Sequence, residues 1–131
     1  MKIDRSTLAW AAGFAAIAVI LGALGAHALK NHLEPSSLES FKTGVRYQMW
    51  HALALFIAAI IPVDGLNLKW VKRLWIIGII LFSGSIFLLS TAPIFHSDFT
   101  FLGPITPLGG LALISGWIIL FIKSLQKNYN P

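Results

Sequence analysis

Four long apolar segments constrain this chain more than any other feature. Leu8 to Leu29 contains no Asp, Glu, Lys or Arg, and neither do Leu74 to Pro93 and Pro107 to Ile122. Met49 to Val63 is a shorter run of the same kind. A helix rises about 1.5 Å per residue, so about 20 apolar residues cross a hydrocarbon core roughly 30 Å thick. Inside that core every backbone N–H and C=O must be paired within the chain, which leaves helices or closed barrels. The run lengths select helices. The spans are expected near residues 8–29, 47–63, 74–93 and 107–122.

Composition agrees. Hydrophobic residues make up 56% of the 131 and charged residues 11%, with mean hydropathy +0.77. A soluble domain carries about 25% charged residues, so this chain has too few to cover a soluble globule. The net charge of +5 comes from basic residues that flank the apolar runs. They read as topology signals and lipid-headgroup contacts rather than a nucleic-acid surface. Cysteine is absent, which excludes disulfides, thiolate metal sites and cysteine nucleophiles.

Two segment starts carry local signals. Ser36 and Glu39 have capping-box spacing after Pro35, so the second helix is expected to begin near Ser37, along or above the membrane interface. Thr106 before Pro107 predicts the start of the fourth helix, with proline in its first position. Lys2, Arg5, the apolar run and Ala26-His27-Ala28 imitate a signal peptide. The run is long for one and three more apolar segments follow, so it is read as a first span.

Four spans place both termini on one side. Lys2, Arg5, Lys69, Lys72, Arg73, Lys123 and Lys127 fall there, against Lys30, Lys42 and Arg46 on the other side. The positive-inside rule then puts both termini in the cytoplasm. Small residues recur at helical spacing, as at Ala11, Ala15, Ala18, Gly22 and Ala26. Gly109, Ala112 and Gly116 form a second such stripe. Close backbone approach drives helix association in lipid. The expected fold is therefore all-α: an integral membrane, antiparallel four-helix bundle packed through Gly22, Gly25, Gly44, Gly109 and Gly116.

Polar residues within the spans need partners or a function. At about 100° per residue, Ser37, Ser40, Gly44, Tyr47, Gln48 and His51 share one face of the second helix. Glu39, Lys42 and Arg46 share nearly the opposite face. With His27 at the end of the first span, Arg46, Tyr47, Gln48 and His51 form a candidate polar cluster or lipid contact. The four histidines have no metal-ligand spacing, and no metal or cofactor is expected. No span contains Asp or Glu, which argues against an ion-coupled pump, where intramembrane carboxylates relay protons. Leu81-Phe82-Ser83-Gly84-Ser85 is not a nucleophile elbow. Its serines are expected to bond back to the preceding turn. Gly103 to Gly110 reads as a turn and a close helix contact, or as a helix end offering N–H groups to a lipid headgroup.

Several segments carry a family resemblance. They are Gly22-Ala-Leu-Gly-Ala-His-Ala-Leu-Lys30, Phe41-Lys-Thr-Gly-Val-Arg-Tyr-Gln-Met-Trp-His-Ala-Leu53, Gly78-Ile-Ile-Leu-Phe-Ser-Gly-Ser85 and Pro104-Ile-Thr-Pro-Leu-Gly-Gly110. Together they resemble the YgdD/YwdK family of small bacterial inner-membrane proteins. The resemblance covers nearly the whole chain, and the block from Thr43 to His51 is the most specific. Leu24 stands where the family usually has phenylalanine. The family's motif positions fall on Gly22, Gly25, His27, Gly44, Arg46, Tyr47, Gln48 and His51. The resemblance implies a four-helix protein of the bacterial cytoplasmic membrane and supplies no activity.

Three functions follow as expectations. The first is a non-enzymatic accessory or structural subunit, or a lipid-binding protein, whose partners are membrane lipids, a homo-oligomer or a larger membrane complex. The second is a small oligomeric transporter, flippase or channel with Tyr47, Gln48 and His51 along its path. A membrane enzyme using His27 or His51 as a base ranks last.

Overall fold

The computed structural model describes residues 3–61 and 66–126. Pro62 and Val63, at the end of the second expected span, lie outside them, as do Lys2, Asp64 and Lys127 of the charge distribution. Four helices are present: α1 (Arg5–Ala26), α2 (Pro35–Ile60), α3 (Lys69–Thr91) and α4 (Ile105–Leu125). Two single 3-10 turns, Leu29–Asn31 and Thr100–Leu102, lie in the connections. No strand occurs among the described residues.

Each helix boundary has a local cause. Asp4 caps α1: its carboxylate accepts from the Thr7 N–H at 3.1 Å and the Thr7 hydroxyl at 2.7 Å. The helix ends at Ala26, short of Leu29, with His27 as its C-cap. α2 starts at Pro35 rather than Ser37, with Glu34 in the cap position and no side-chain cap. The Ser36–Glu39 capping box does not form. Proline's fixed φ already suits the first helical position, and Glu39 pairs instead with Lys42 at 3.2 Å and Arg46 at 3.7 Å. The other end of α2 is set by Pro62, which pushes the residue before it out of the helical region; Ile61 is extended. α4 starts at Ile105, two residues before the expected Pro107. Proline is tolerated there because the N–H groups of a first turn have no intrahelical partner. After α3, His96 takes a left-handed φ of 48° in an exposed turn.

Three segments are long and apolar enough to cross a membrane: Arg5–Ala26, Lys69–Thr91 and Thr100–Leu125. α2 is not among them, because polar residues continue from Ser36 through Glu39, Lys42, Arg46 and Gln48 to His51, leaving too short an apolar stretch before its end. It is one continuous helix, polar in its first half and apolar in its second.

The helices pack in chain order, α1 on α2, α2 on α3 and α3 on α4. No other helix pair shares an extended interface among the described residues. Neighbours run antiparallel. Gly25 meets Phe41, while the Asp4 N–H donates to the Ala59 carbonyl at 3.1 Å. Phe41 meets Phe87 with tilted rings, while His51 lies by Trp75. Gly109 meets Phe82, while Gly116 meets Trp75. The core is Ala11 and Phe14 of α1, Ala52 and Leu55 of α2, Val71, Trp75 and Ile79 of α3, and Leu113 of α4. The outward faces remain apolar: Ile20 is 60% exposed and Phe121 64%. Such a continuous apolar exterior suits lipid and would not stay dispersed in water.

Candidate functional site

Most interior polar groups join α2 to another helix, and one pair joins α3 to α4. On the α1 side, buried Gln48 donates through Nε2 to the Phe14 carbonyl at 2.8 Å. On the α3 side, fully buried Ser83 donates to the Gly44 carbonyl at 2.7 Å. That bond depends on the missing side chain at Gly44, where a Cβ would come 2.8 Å from the Phe87 ring. Ser83 therefore bonds across to another helix rather than back to its own preceding turn. Ser85 keeps the local pattern, donating to the Phe82 carbonyl at 3.0 Å, and also pairs with the Thr106 hydroxyl of α4 at 2.6 Å.

His51 joins α2 to α4. The Trp117 indole N–H donates to His51 Nε2 at 2.9 Å. An indole nitrogen only donates, so Nε2 carries no hydrogen. The ring is then the neutral Nδ1–H tautomer, which donates to the Tyr47 carbonyl at 2.7 Å. Both ring nitrogens are engaged, and a doubly protonated ring would set two N–H groups against each other. Aromatic rings surround it: the centroids of Tyr47, Trp75 and Trp117 lie 6.0 to 6.3 Å away. The Trp75 indole N–H is buried without a partner among the described residues and sits against Gly116 of α4. An unpaired buried donor costs about 1–3 kcal/mol.

The five residues of the expected cluster do not form one site. Gln48 and His51 are buried and bonded to different helices. Tyr47 is 37% exposed and lays its ring on Phe82, 4.9 Å between centroids. Arg46 is exposed and pairs with Glu39. His27 is exposed at the end of α1 and makes no side-chain hydrogen bond to the others. Ser37 and Ser40, on the Gln48 face, line a cleft of about 290 Å³ with Ser36, Ser90 and Thr106. Among the expected packing glycines, Gly25, Gly44, Gly109 and Gly116 are buried against α2, α3, α3 and α3 respectively. Gly22 is partly buried beside Val45. A side chain at Gly109 would enter the backbone of α3 at Phe82. No set of three His, Asp or Glu residues placed to hold a metal ion occurs among the described residues.

Sequence reasoning passed over a second junction. Asp4 Oδ2 accepts from Lys72 Nζ of α3 at 3.1 Å as well as from Thr7, while its N–H bonds to α2. The Thr7 hydroxyl and N–H, aided by the Lys72 ammonium, hold the Asp4 carboxyl down from 3.8 to about 2, against the opposing effect of burial. The cap was legible as Asp4 three residues before Thr7 at the start of an apolar run. The bonds to α2 and α3 had no local signal.

These features define a small helical membrane protein in which Gln48, His51, Ser83 and Ser85 are tied to neighbouring helices. Residues 21–110 match the family described as "Protein of unknown function (DUF423)". Among similar proteins, the UPF0382 membrane protein YwdK of Bacillus subtilis is 40% identical over 86% of this chain and 89% of its own length. A UPF0382 membrane protein of Haemophilus influenzae is 37% identical over 97% of this chain and 98% of its own length. The UPF0382 membrane protein C1782.12c of Schizosaccharomyces pombe is 39% identical over 81% and 90%. No solved structure matches the chain. The chain belongs to the DUF423 family of UPF0382 membrane proteins.

Proposed function

We propose that the protein is a non-enzymatic accessory protein of the bacterial cytoplasmic membrane. It is read as an antiparallel four-helix bundle with both termini in the cytoplasm, acting through contacts with lipid and neighbouring membrane chains. One observation carries this reading: Gln48 Nε2, the Ser83 and Ser85 hydroxyls and both ring nitrogens of His51 bond within the protein. His51 has no free nitrogen to act as a base. Beyond it, the buried residues of α2 are Ala52, Leu55 and Ala59, which offer no polar path for a transported solute. Hydrogen bonds between membrane helices average roughly 0.6 kcal/mol each. Several of them fix the rotation of the helices, so the polar residues serve the fold. The outward apolar faces are left for lipid or other helices.

Native mass spectrometry of protein gently extracted from its own membrane tests this. Retained lipid or a co-purifying subunit is the expected result. A bare oligomer with nothing bound would overturn the accessory reading in favour of transport, to be pursued by flux assays on Gln48 and His51 variants.

A further inference from the structure

The end of the molecule that carries the N-terminus holds a cleft with no part in the polar core. It has a volume of about 510 Å³ and lies between the first turns of α1 and α3. Lys69, Lys72 and Arg73 line it from α3, with the Arg73 guanidinium over the Trp70 ring, and Ser6, Thr7 and Trp10 line it from α1, with the Asp4 carboxylate, held by Lys72, at its edge. Lys72 is paired with Asp4, whereas Lys69 and Arg73 have no carboxylate within 4.0 Å among the described residues. At Ser6 and Trp10 this cleft shares its wall with a second hollow of about 300 Å³. The second hollow follows α1 past Ala9, Gly13 and Ile17 and is apolar beyond Ser6. Its floor is open at Gly13, where a Cβ would meet nothing within 4 Å.

We propose that this two-part groove binds one anionic phospholipid. The phosphate sits with Lys69, Arg73 and the Ser6 hydroxyl, and an acyl chain follows Trp10, Gly13 and Ile17. Two features commit the groove to a lipid. The cationic compartment matches a phosphate: an arginine fork meets two of its oxygens at once, and lysine adds a point charge. The apolar compartment matches a chain. From Ser6 to Ile17 the helix rises roughly 16 Å, close to half of a hydrocarbon core about 30 Å thick. A free anion would use only the first compartment and an apolar helix of another chain only the second, whereas an anionic phospholipid uses both.

The site deepens the lipid-contact part of the proposed function and rests only on α1 and α3 crossing the membrane. Loss of this site with a co-purifying subunit still present would sink the lipid proposal alone. The test uses delipidated full-length protein reconstituted with equal amounts of phosphatidylglycerol and phosphatidylcholine, read by native mass spectrometry. One phosphatidylglycerol per chain is expected, retained about tenfold over phosphatidylcholine. The Lys69→Gln/Arg73→Gln variant should bring that preference below about twofold. Gly13→Leu changes no charge, and its Cβ enters open space, so the side chain fills the hollow beside Trp10 and Ile17 without a backbone clash. It should lower retention of both lipids at least fivefold while leaving melting unchanged. Equal retention of the two lipids by the native chain would overturn the proposal. So would full retention in Gly13→Leu, or displacement of the bound lipid by millimolar inorganic phosphate, which would mark a simple anion site.

Discussion

Asp4 is a single residue that joins three helices, two through its carboxylate and one through its backbone N–H. It caps α1 through Thr7, meets the α2 end through its N–H and anchors Lys72 of α3. Its folded carboxyl titrates near 2 against an ordinary 3.8. Between those values the unfolded chain binds the extra proton, so the stabilisation is complete above about 3.8 and falls as pH drops towards 2. With only five acidic residues in the chain, the effect is separable. Thermal melting of the native chain should fall over that window. Asp4→Ala should start lower, by about 1 kcal/mol for the lost cap, and show a flatter profile. Identical profiles would remove Asp4 from this role. His51 and Trp117 permit a second residue-level prediction. A double-mutant cycle with His51→Phe and Trp117→Phe should give a coupling of about 0.6 kcal/mol, reaching at most about 1.7. Purely additive losses would mean that the indole–imidazole bond does not contribute. That Gln48 and His51 point inward was legible from their shared helical face. Their partners were not, because the Phe14 carbonyl and the Trp117 indole lie on other helices.

At the scale of elements, α2 is the helix whose behaviour the apolar pattern predicts least well. It runs unbroken from Pro35 to Ile60 although its first half is too polar to meet a span criterion. The capping-box pattern placed its start two residues late, since Pro35 initiates the helix and Glu39 is drawn to the Lys42 and Arg46 cations. Because the chain lacks cysteine, single-cysteine scanning maps its depth without further engineering. A membrane-impermeant maleimide should label Ser37→Cys readily and leave Leu53→Cys unlabelled. Labelling of both would place all of α2 outside the hydrocarbon core. The glycine spacing on α4 was legible as a packing stripe. Only the backbone approach of Phe82 to Gly109 shows why no side chain fits there.

For the molecule as a whole, orientation is the most consequential reading. Seven basic residues on the terminal side against three on the other side predict that a C-terminal reporter is active only in its cytoplasmic form. Activity of a periplasmic reporter would invert the assignment and move the proposed lipid site to the other leaflet. The sequence by itself determined that the chain is helical and membrane-bound, roughly where its helices lie and which end is basic. Hydropathy and charge act residue by residue against a bilayer, so they can be summed along the chain without knowing the fold. Tertiary structure alone decided that Gln48 meets Phe14, Ser83 meets Gly44, Trp117 meets His51 and Lys72 meets Asp4. These partners are 34, 39, 66 and 68 positions apart. Their meeting depends on the rotation and register of whole helices, which are set by the packing of many side chains at once rather than by any local pattern.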